Sequence, residues 1–205
     1  MRRIGSALLL LLVGCSRPPA PAARSHEAPR AIGGDGIVTA SLETPSGALR
    51  VDDEGVLTLT ESGQSRVLDR QVIPELSYSN ALRAVVYPRR TALGSELVLR
   101  SLTDNVARAI TTQQSSADRP AISPDGAWVA FWGSQHDATI VGLYVLELAS
   151  GAVRRVNNRG VSIGGPGFVE PPIERSFRFD GARLVRWTGA DGAHALDLAS
   201  EGATP

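Results

Sequence analysis

A few residues in this chain have the types and spacing to do chemistry. Gly160-Val161-Ser162-Ile163-Gly164 fits the Gly-x-Ser-x-Gly pattern of a serine nucleophile, with Asp180 and His194 downstream in the order of an acid and a base. That pattern works only on a strand-to-helix elbow. Gly165-Pro166-Gly167 and Pro171-Pro172 follow, so no helix starts there, and Asn157 to Pro172 reads as a loop of the kind that carries binding. His26, His136 and His194 are far apart and none pairs with a cysteine, which argues against zinc. Asp52-Asp53-Glu54 lacks the further oxygen ligands of a calcium loop and reads as a hairpin turn. No catalytic residue, metal site or cofactor is therefore expected, and the chain is not read as an enzyme.

Cys15, the single cysteine, is the remaining reactive group. Met1-Arg2-Arg3, the apolar run Ala7 to Val13 and a small residue before Cys15 describe an export signal. The apolar run is about ten residues, half of the roughly 20 that a spanning helix needs. Leu12-Val13-Gly14-Cys15 resembles the lipobox of bacterial lipoproteins. The resemblance implies that residues 1–14 are a signal peptide, that the chain is cut before Cys15, and that the Cys15 sulfur is diacylated. Two or three acyl chains, at about 0.8 kcal/mol per buried methylene, hold a protein firmly on a membrane. Ser16, where an Asp would retain the protein in the inner membrane, implies the outer membrane facing the periplasm. In a single-membraned host the same signal implies the outer face of the cell membrane.

The elements that would carry a site lie beyond a tether. Residues 15–36 combine the lipidated cysteine with four prolines, three glycines and no apolar periodicity. Such a chain reaches roughly 25 Å. All 21 basic residues are arginine, balanced by 21 acidic ones. The arginines are scattered, with Arg89-Arg90 and Arg154-Arg155 as the longest runs past the signal peptide. The basic stripe of a nucleic-acid binder is absent from the sequence. Without a second cysteine, no intrachain disulfide supports the fold, so residues 37–205 must build a packed core.

Those residues read as all-β. Short runs rich in Val, Leu, Ile and aromatics alternate with turn residues: Leu82–Tyr87, Glu96–Leu102, Trp128–Trp132, Ile140–Leu148, Val153–Val156, Arg183–Trp187 and His194–Leu198. The runs repeat. Ser123-Pro124-Asp125-Gly126 leads into Val129-Ala130-Phe131-Trp132, and after a loop comes Leu143-Tyr144-Val145-Leu146-Glu147-Leu148. Ser79-Asn80-Ala81 leads into Val85-Val86-Tyr87, and Asp180-Gly181-Ala182 into Leu184-Val185-Arg186-Trp187. Asn80, Asp125 and Asp180 thus take one place in the repeat, and Tyr87, Trp132 and Trp187 another. Asp and Gly at such a place suit tight turns, because Asp bonds nearby backbone N–H groups and Gly accepts positive φ. Asn80, Asp125, Gly126, Asp180 and Gly181 are accordingly structural turn residues, and the three tryptophans inter-sheet core.

About four strands in about 45 residues make one propeller blade. Ser123-Pro124-Asp125-Gly126, Val129-Ala130-Phe131 and Tyr144-Val145-Leu146-Glu147-Leu148 resemble the repeat of TolB-type propellers, shared with tricorn-like and dipeptidyl-peptidase-like proteins. Residues 120–156 carry the resemblance best; the unit at 77–111 lacks its Pro and Gly, and the unit at 175–198 its Pro. The fold expected is β-propeller-like, with three to four blades of four antiparallel strands in units of about 46–72, 74–116, 119–158 and 172–205. The last unit lacks an outer strand. Ile37 to Leu42 could supply it and close a ring; otherwise the blades form an open arc whose edges pair with a second copy, or the chain is truncated relative to its family.

The function that follows is an envelope lipoprotein whose propeller binds a protein or an envelope component. The alternatives are a non-catalytic part of a peptidase-like system, a degenerate hydrolase, and carbohydrate or small-ligand binding at a central channel. Metabolic labelling with a clickable fatty acid tests the anchor. The wild type is expected to take up label and Cys15→Ala none; label on the variant contradicts the assignment.

Overall fold

The structure is a computed structural model that describes residues 38–111, 114–135, 142–156, 177–189 and 192–198. Cys15 and the tether lie outside the described residues. Among the described residues fifteen strands form four antiparallel sheets, each a meander in chain order. The first holds β1 (Val38–Thr44), β2 (Gly47–Asp52), β3 (Leu57–Glu61) and β4 (Gln64–Asp69); the second β5 (Ser77–Ser79), β6 (Ala84–Thr91), β7 (Gly94–Ser101) and β8 (Ala107–Ala109). The third holds β9 (Gln114–Ile122), β10 (Trp128–Gln135), β11 (Gly142–Glu147) and β12 (Val153–Arg155); the fourth β13 (Phe177–Asp180), β14 (Leu184–Gly189) and β15 (Gly192–Asp197). This is the all-β, blade-like architecture expected from the repeat.

Turn chemistry sets the local path. Glu61 pairs with Gln64 across Ser62-Gly63, whose φ angles of 50° and 79° match the twist of a two-residue hairpin. Gly47 ends the β1–β2 turn at φ 125°, and a Cβ there would sit 2.3 Å from the Thr60 carbonyl.

Side-chain alternation then assigns residues to layers, since successive residues of a strand point to opposite faces. Val85 and Tyr87 of β6 join Leu49, Val51, Leu57 and Leu59 between the first and second sheets. Val86, from the other face of β6, joins Val129, Phe131, Tyr144 and Leu146 between the second and third. Ala130, Trp132, Leu143 and Val145 face Val185 and Leu198 between the third and fourth. Strands of the two inner sheets are thus buried on both faces, which explains their near-continuous apolar runs.

Two expectations are corrected. Ile37 to Leu42 does not complete the last unit: Val38–Thr44 pairs with β2 as the first strand of the first sheet. Apolar Leu42 lies opposite Leu49 and packs on the first layer, which fixes the strand there. The aromatic alignment is also one residue out. Equivalent backbone bonds run from Leu102 N–H to the Arg83 carbonyl (2.9 Å), from Leu148 to Ala127 (2.9 Å) and from Leu198 to Arg183 (3.0 Å). By that register Tyr87, Phe131 and Trp187 are equivalent, each facing the preceding sheet. Trp132 faces the following sheet, because a one-residue slip reverses the face.

Four sheets closed in a ring would need four buried layers, and three occur among the described residues. The two end faces are mostly polar. On the first sheet, Ser41, Arg50, Thr58 and Val67 make one cross-strand row, and Glu43, Ala48, Thr60 and Ser65 the next. On the fourth, Arg178, Arg186 and Ala195 make one row, and Asp180, Leu184 and Asp197 the next. Arg186 stands where sister sheets bury Val86 and Ala130, and Ala195 where they carry Leu99 and Val145. Among the described residues the sheets form an open arc with water-compatible end faces, as terminal repeats of a stacked array require.

Phe131, fully buried, stacks on Tyr144 with centroids 5.6 Å apart in the middle layer. Phe131→Ala is expected to lower unfolding free energy by about 3–5 kcal/mol, read from urea titration. A loss below about 1 kcal/mol contradicts a packed layer at that position.

Candidate functional site

The turn residues singled out in the sequence do different things. Ser123 donates its hydroxyl to Asp125 Oδ1 at 2.6 Å, and the Ala127 N–H donates to the same atom at 3.1 Å. These bonds, the hydroxyl first, hold the Asp125 carboxyl below its ordinary value of 3.8, with the Arg183 charge helping. Gly126 has φ 74°, and a Cβ on it would lie 2.3 Å from Leu82 Cγ, so this turn also seals the second sheet to the third. Gly181 has φ 79° but open space around it. The Asn80 carbonyl accepts the Arg83 N–H at 3.3 Å. Asp180 accepts Arg186 Nε at 2.8 Å on the exposed end face. In the strand register Asn80 is the first residue of its loop and Asp125 the second, so the two are not equivalent.

The seam between the third and fourth sheets stays open at this end. A cavity of about 420 Å³ is bounded by Asp125, Ala127, Trp128, Glu147, Arg154, Arg183 and Leu198. That volume lies within the usual range of ligand clefts. Trp128, half-buried at the start of β10, carries the Arg154 guanidinium 5.6 Å from its ring centroid. Arg154 reaches it because it lies opposite Val145 and shares that residue's face toward the third layer. Arg183 is exposed and, among the described residues, has no carboxylate within salt-bridge distance. Leu198 gives the floor an apolar, buried surface. The seam is thus lined by the stacked Trp128–Arg154 pair, the exposed Arg183 guanidinium and two carboxylates, a set suited to gripping a polar chain rather than to bond making.

A second polar cluster is buried between the first and second sheets. Tyr87 donates its hydroxyl to Asp69 Oδ2 at 2.6 Å and accepts Arg100 Nε at 3.1 Å. Arg89 binds Asp69 at 3.3 Å and Glu96 at 2.6 Å, and Arg100 Nη1 donates to Asn105 Oδ1 at 3.0 Å. Burial pushes the Tyr87 hydroxyl well above its usual range, so it stays a neutral donor. Every member has a partner inside the cluster, and the cluster acts as a latch between two sheets.

The remaining candidates separate. Ser162, His26 and His136 lie outside the described residues. His194 stacks on Trp187, centroids 5.3 Å apart, in the register position where Phe131 meets Tyr144 in the third sheet. Its ring is therefore part of a repeated cross-strand pair. Among the described residues no group of three His, Cys, Asp or Glu is placed to hold a metal. Trp128, Arg154 and Arg183 were not singled out in the sequence as a site. The available signal was positional: Arg183 follows one repeat turn directly, and Trp128 follows the other.

Comparison with solved structures gives 84 matching chains. TolB from Acinetobacter baumannii aligns with 80% of this chain at a TM-score of 0.50 and 17% identity. The tricorn protease aligns with 80% at 0.55 and 13% identity, and a nidogen/laminin complex with 80% at 0.54 and 11% identity. This chain spans 38%, 22% and 62% of those three chains respectively. The likeness establishes a propeller-type fold. No protein-family model and no curated protein matches the chain.

The Asp125 carboxyl, lowered in the folded state, contributes stability above about pH 4 that is lost as pH falls through its folded value. Between pH 7 and pH 3 the wild type is therefore expected to lose more stability than Asp125→Asn, as read from paired urea titrations. Equal losses contradict the turn assignment.

Proposed function

We propose that this chain is an envelope lipoprotein that displays its arc of sheets as a platform for another protein or an envelope component. Acyl chains on Cys15 hold it to the outer membrane facing the periplasm, or to the outer face of a single membrane. The Pro/Ala tether then stands the arc off the lipid surface. This reading gives the chain no catalytic residue and no cofactor.

One observation carries it: the open seam where Trp128, Arg154 and Arg183 meet above Leu198. Trp and Arg dominate the binding energy of protein interfaces when they line a concave, partly desolvated spot. Both are present here with an apolar floor, in a cleft of side-chain dimensions. Strand residues Trp128 and Arg154 and a three-residue turn at Arg183, rather than long loops, position all three, so little ordering is lost on binding.

Cross-linking of tagged full-length protein in intact envelopes, followed by affinity recovery, tests the proposal. A defined partner is expected with the wild type. Arg183→Glu, on an exposed side chain that the fold does not need, is expected to reduce recovery at least tenfold. Undiminished recovery with Arg183→Glu overturns the seam as the site, and repeated recovery of no partner overturns the platform.

A further inference from the structure

The repeat shows what the seam between the third and fourth sheets lacks. Arg83, Ala127 and Arg183 occupy one repeat position, since their carbonyls accept the N–H groups of Leu102, Leu148 and Leu198. The residues just before them, Leu82, Gly126 and Ala182, are therefore equivalent as well. Between the second and third sheets, the first of these reaches the second. The Leu82 side chain lies over Gly126, with Cγ 2.3 Å and Cδ1 2.7 Å from where a Cβ would sit. Gly126 is buried beneath it.

Between the third and fourth sheets the same step runs from Gly126 to Ala182. Gly126 has no side chain to send across, and its φ of 74° disfavours any larger residue in that place. Ala182 is accordingly exposed where Gly126 is buried. The cavity of about 420 Å³ lies beside this gap. Asp125, Ala127 and Arg183, the chain neighbours of Gly126 and Ala182, bound it, and buried Leu198 is its floor.

The polar groups around the gap are unequally satisfied. Asp125 accepts the Ser123 hydroxyl and the Ala127 N–H, and Glu147 accepts the Ser150 hydroxyl at 2.6 Å. Arg154 lies over the Trp128 ring, and its Nη2 donates to the Leu198 carbonyl at 3.5 Å. Arg183 is exposed, and among the described residues no ion pair or side-chain hydrogen bond involves it. It acts on Asp125 through its charge alone.

Building on the platform reading above, we propose that this seam receives a leucine-sized aliphatic side chain from an extended segment of a partner protein, with an acidic residue beside it on Arg183. Leu82 is the internal precedent, because it is the group that the chain itself sets into the sister seam. An aliphatic group in the gap leaves water for the surfaces of Leu198 and the Trp128 ring, which is the main favourable contribution to such contacts. Arg183 presents a planar fork of N–H donors that matches a carboxylate. The two carboxylates already at the seam have their own donors, so the free guanidinium sets the preference for an acid.

Selection of a displayed random-peptide library on the full-length, detergent-solubilised protein tests the proposal. Enriched peptides are expected to share Leu, Ile or Met beside Asp or Glu. The tightest of them is then titrated as a synthetic peptide. Replacing its aliphatic residue by Ala is expected to weaken binding about tenfold. Ala127→Leu, which fills the gap from inside, is expected to weaken it about tenfold or more. Arg83 and Arg183 hold that position in the sister sheets, so the turn accepts a long side chain there. Arg183→Gln is expected to weaken the acidic peptide and to leave unchanged the peptide whose acid is replaced by its amide. That comparison involves no buried side chain, so it decides the matter even where Ala127→Leu fails to fold. No enrichment, enrichment without the aliphatic–acidic pair, or a peptide indifferent to Arg183→Gln overturns the proposal. These outcomes are read without the envelope cross-linking, so recovery of a partner there judges the platform separately.

Discussion

The pleat of the β-strand governs this molecule. Because neighbouring residues point to opposite faces, a strand between two other sheets must supply apolar groups at every position, while a strand at the end of the stack needs them at every second one. The inner strands β6, β10 and β11 read as unbroken apolar runs: Ala84 to Tyr87, Val129 to Trp132, Leu143 to Leu146. The end strands β2 and β14 alternate, with Leu49 and Val51 inward around Arg50, and Val185 inward beside Arg186. An arc with two covered sheets and two one-sided ones is written in that difference. The layers between the sheets are where its stability resides.

The same constraint places polar groups. Arg100 stands on the first layer where the equivalent Leu146 and Leu196 are apolar. A guanidinium there is tolerable because Tyr87, Asp69 and Asn105 satisfy its donors; truncating one partner would leave a buried charge uncompensated. At the other end of the arc, Asp125, Trp128, Arg154 and Arg183 converge because turns and strand ends of two neighbouring sheets meet at one rim of the seam. Site and core are products of one geometry. What separates them is Leu82, which fills against Gly126 the space that remains open beside Arg183.

Much of the fold was legible in the sequence, and the reason is local. The Asp-Gly turns and the spacing of apolar runs each report backbone conformation over a few residues, so the runs expected from Leu82 onward overlap observed strands, while β5, β8, β9 and β13, short or less apolar, were not among them. The site was less legible. Trp128 read as core because an aromatic next to a repeat turn looks the same whether its outer flank is covered or open. Arg154 and Arg183 read as scattered surface charge, since 29 residues separate two side chains that only a packed pair of sheets brings to one cavity.

By itself the sequence determined the strand-and-turn character of the chain, its repeat, and the lipobox-like segment around Cys15. Those properties depend on local conformational preference or on short linear pattern. Tertiary structure alone decided that Val38–Thr44 belongs to the first sheet, and that Phe131 rather than Trp132 matches Tyr87. A period of two looks the same after a shift of one residue plus a reversal of face. Only the layer that receives each side chain can distinguish the two.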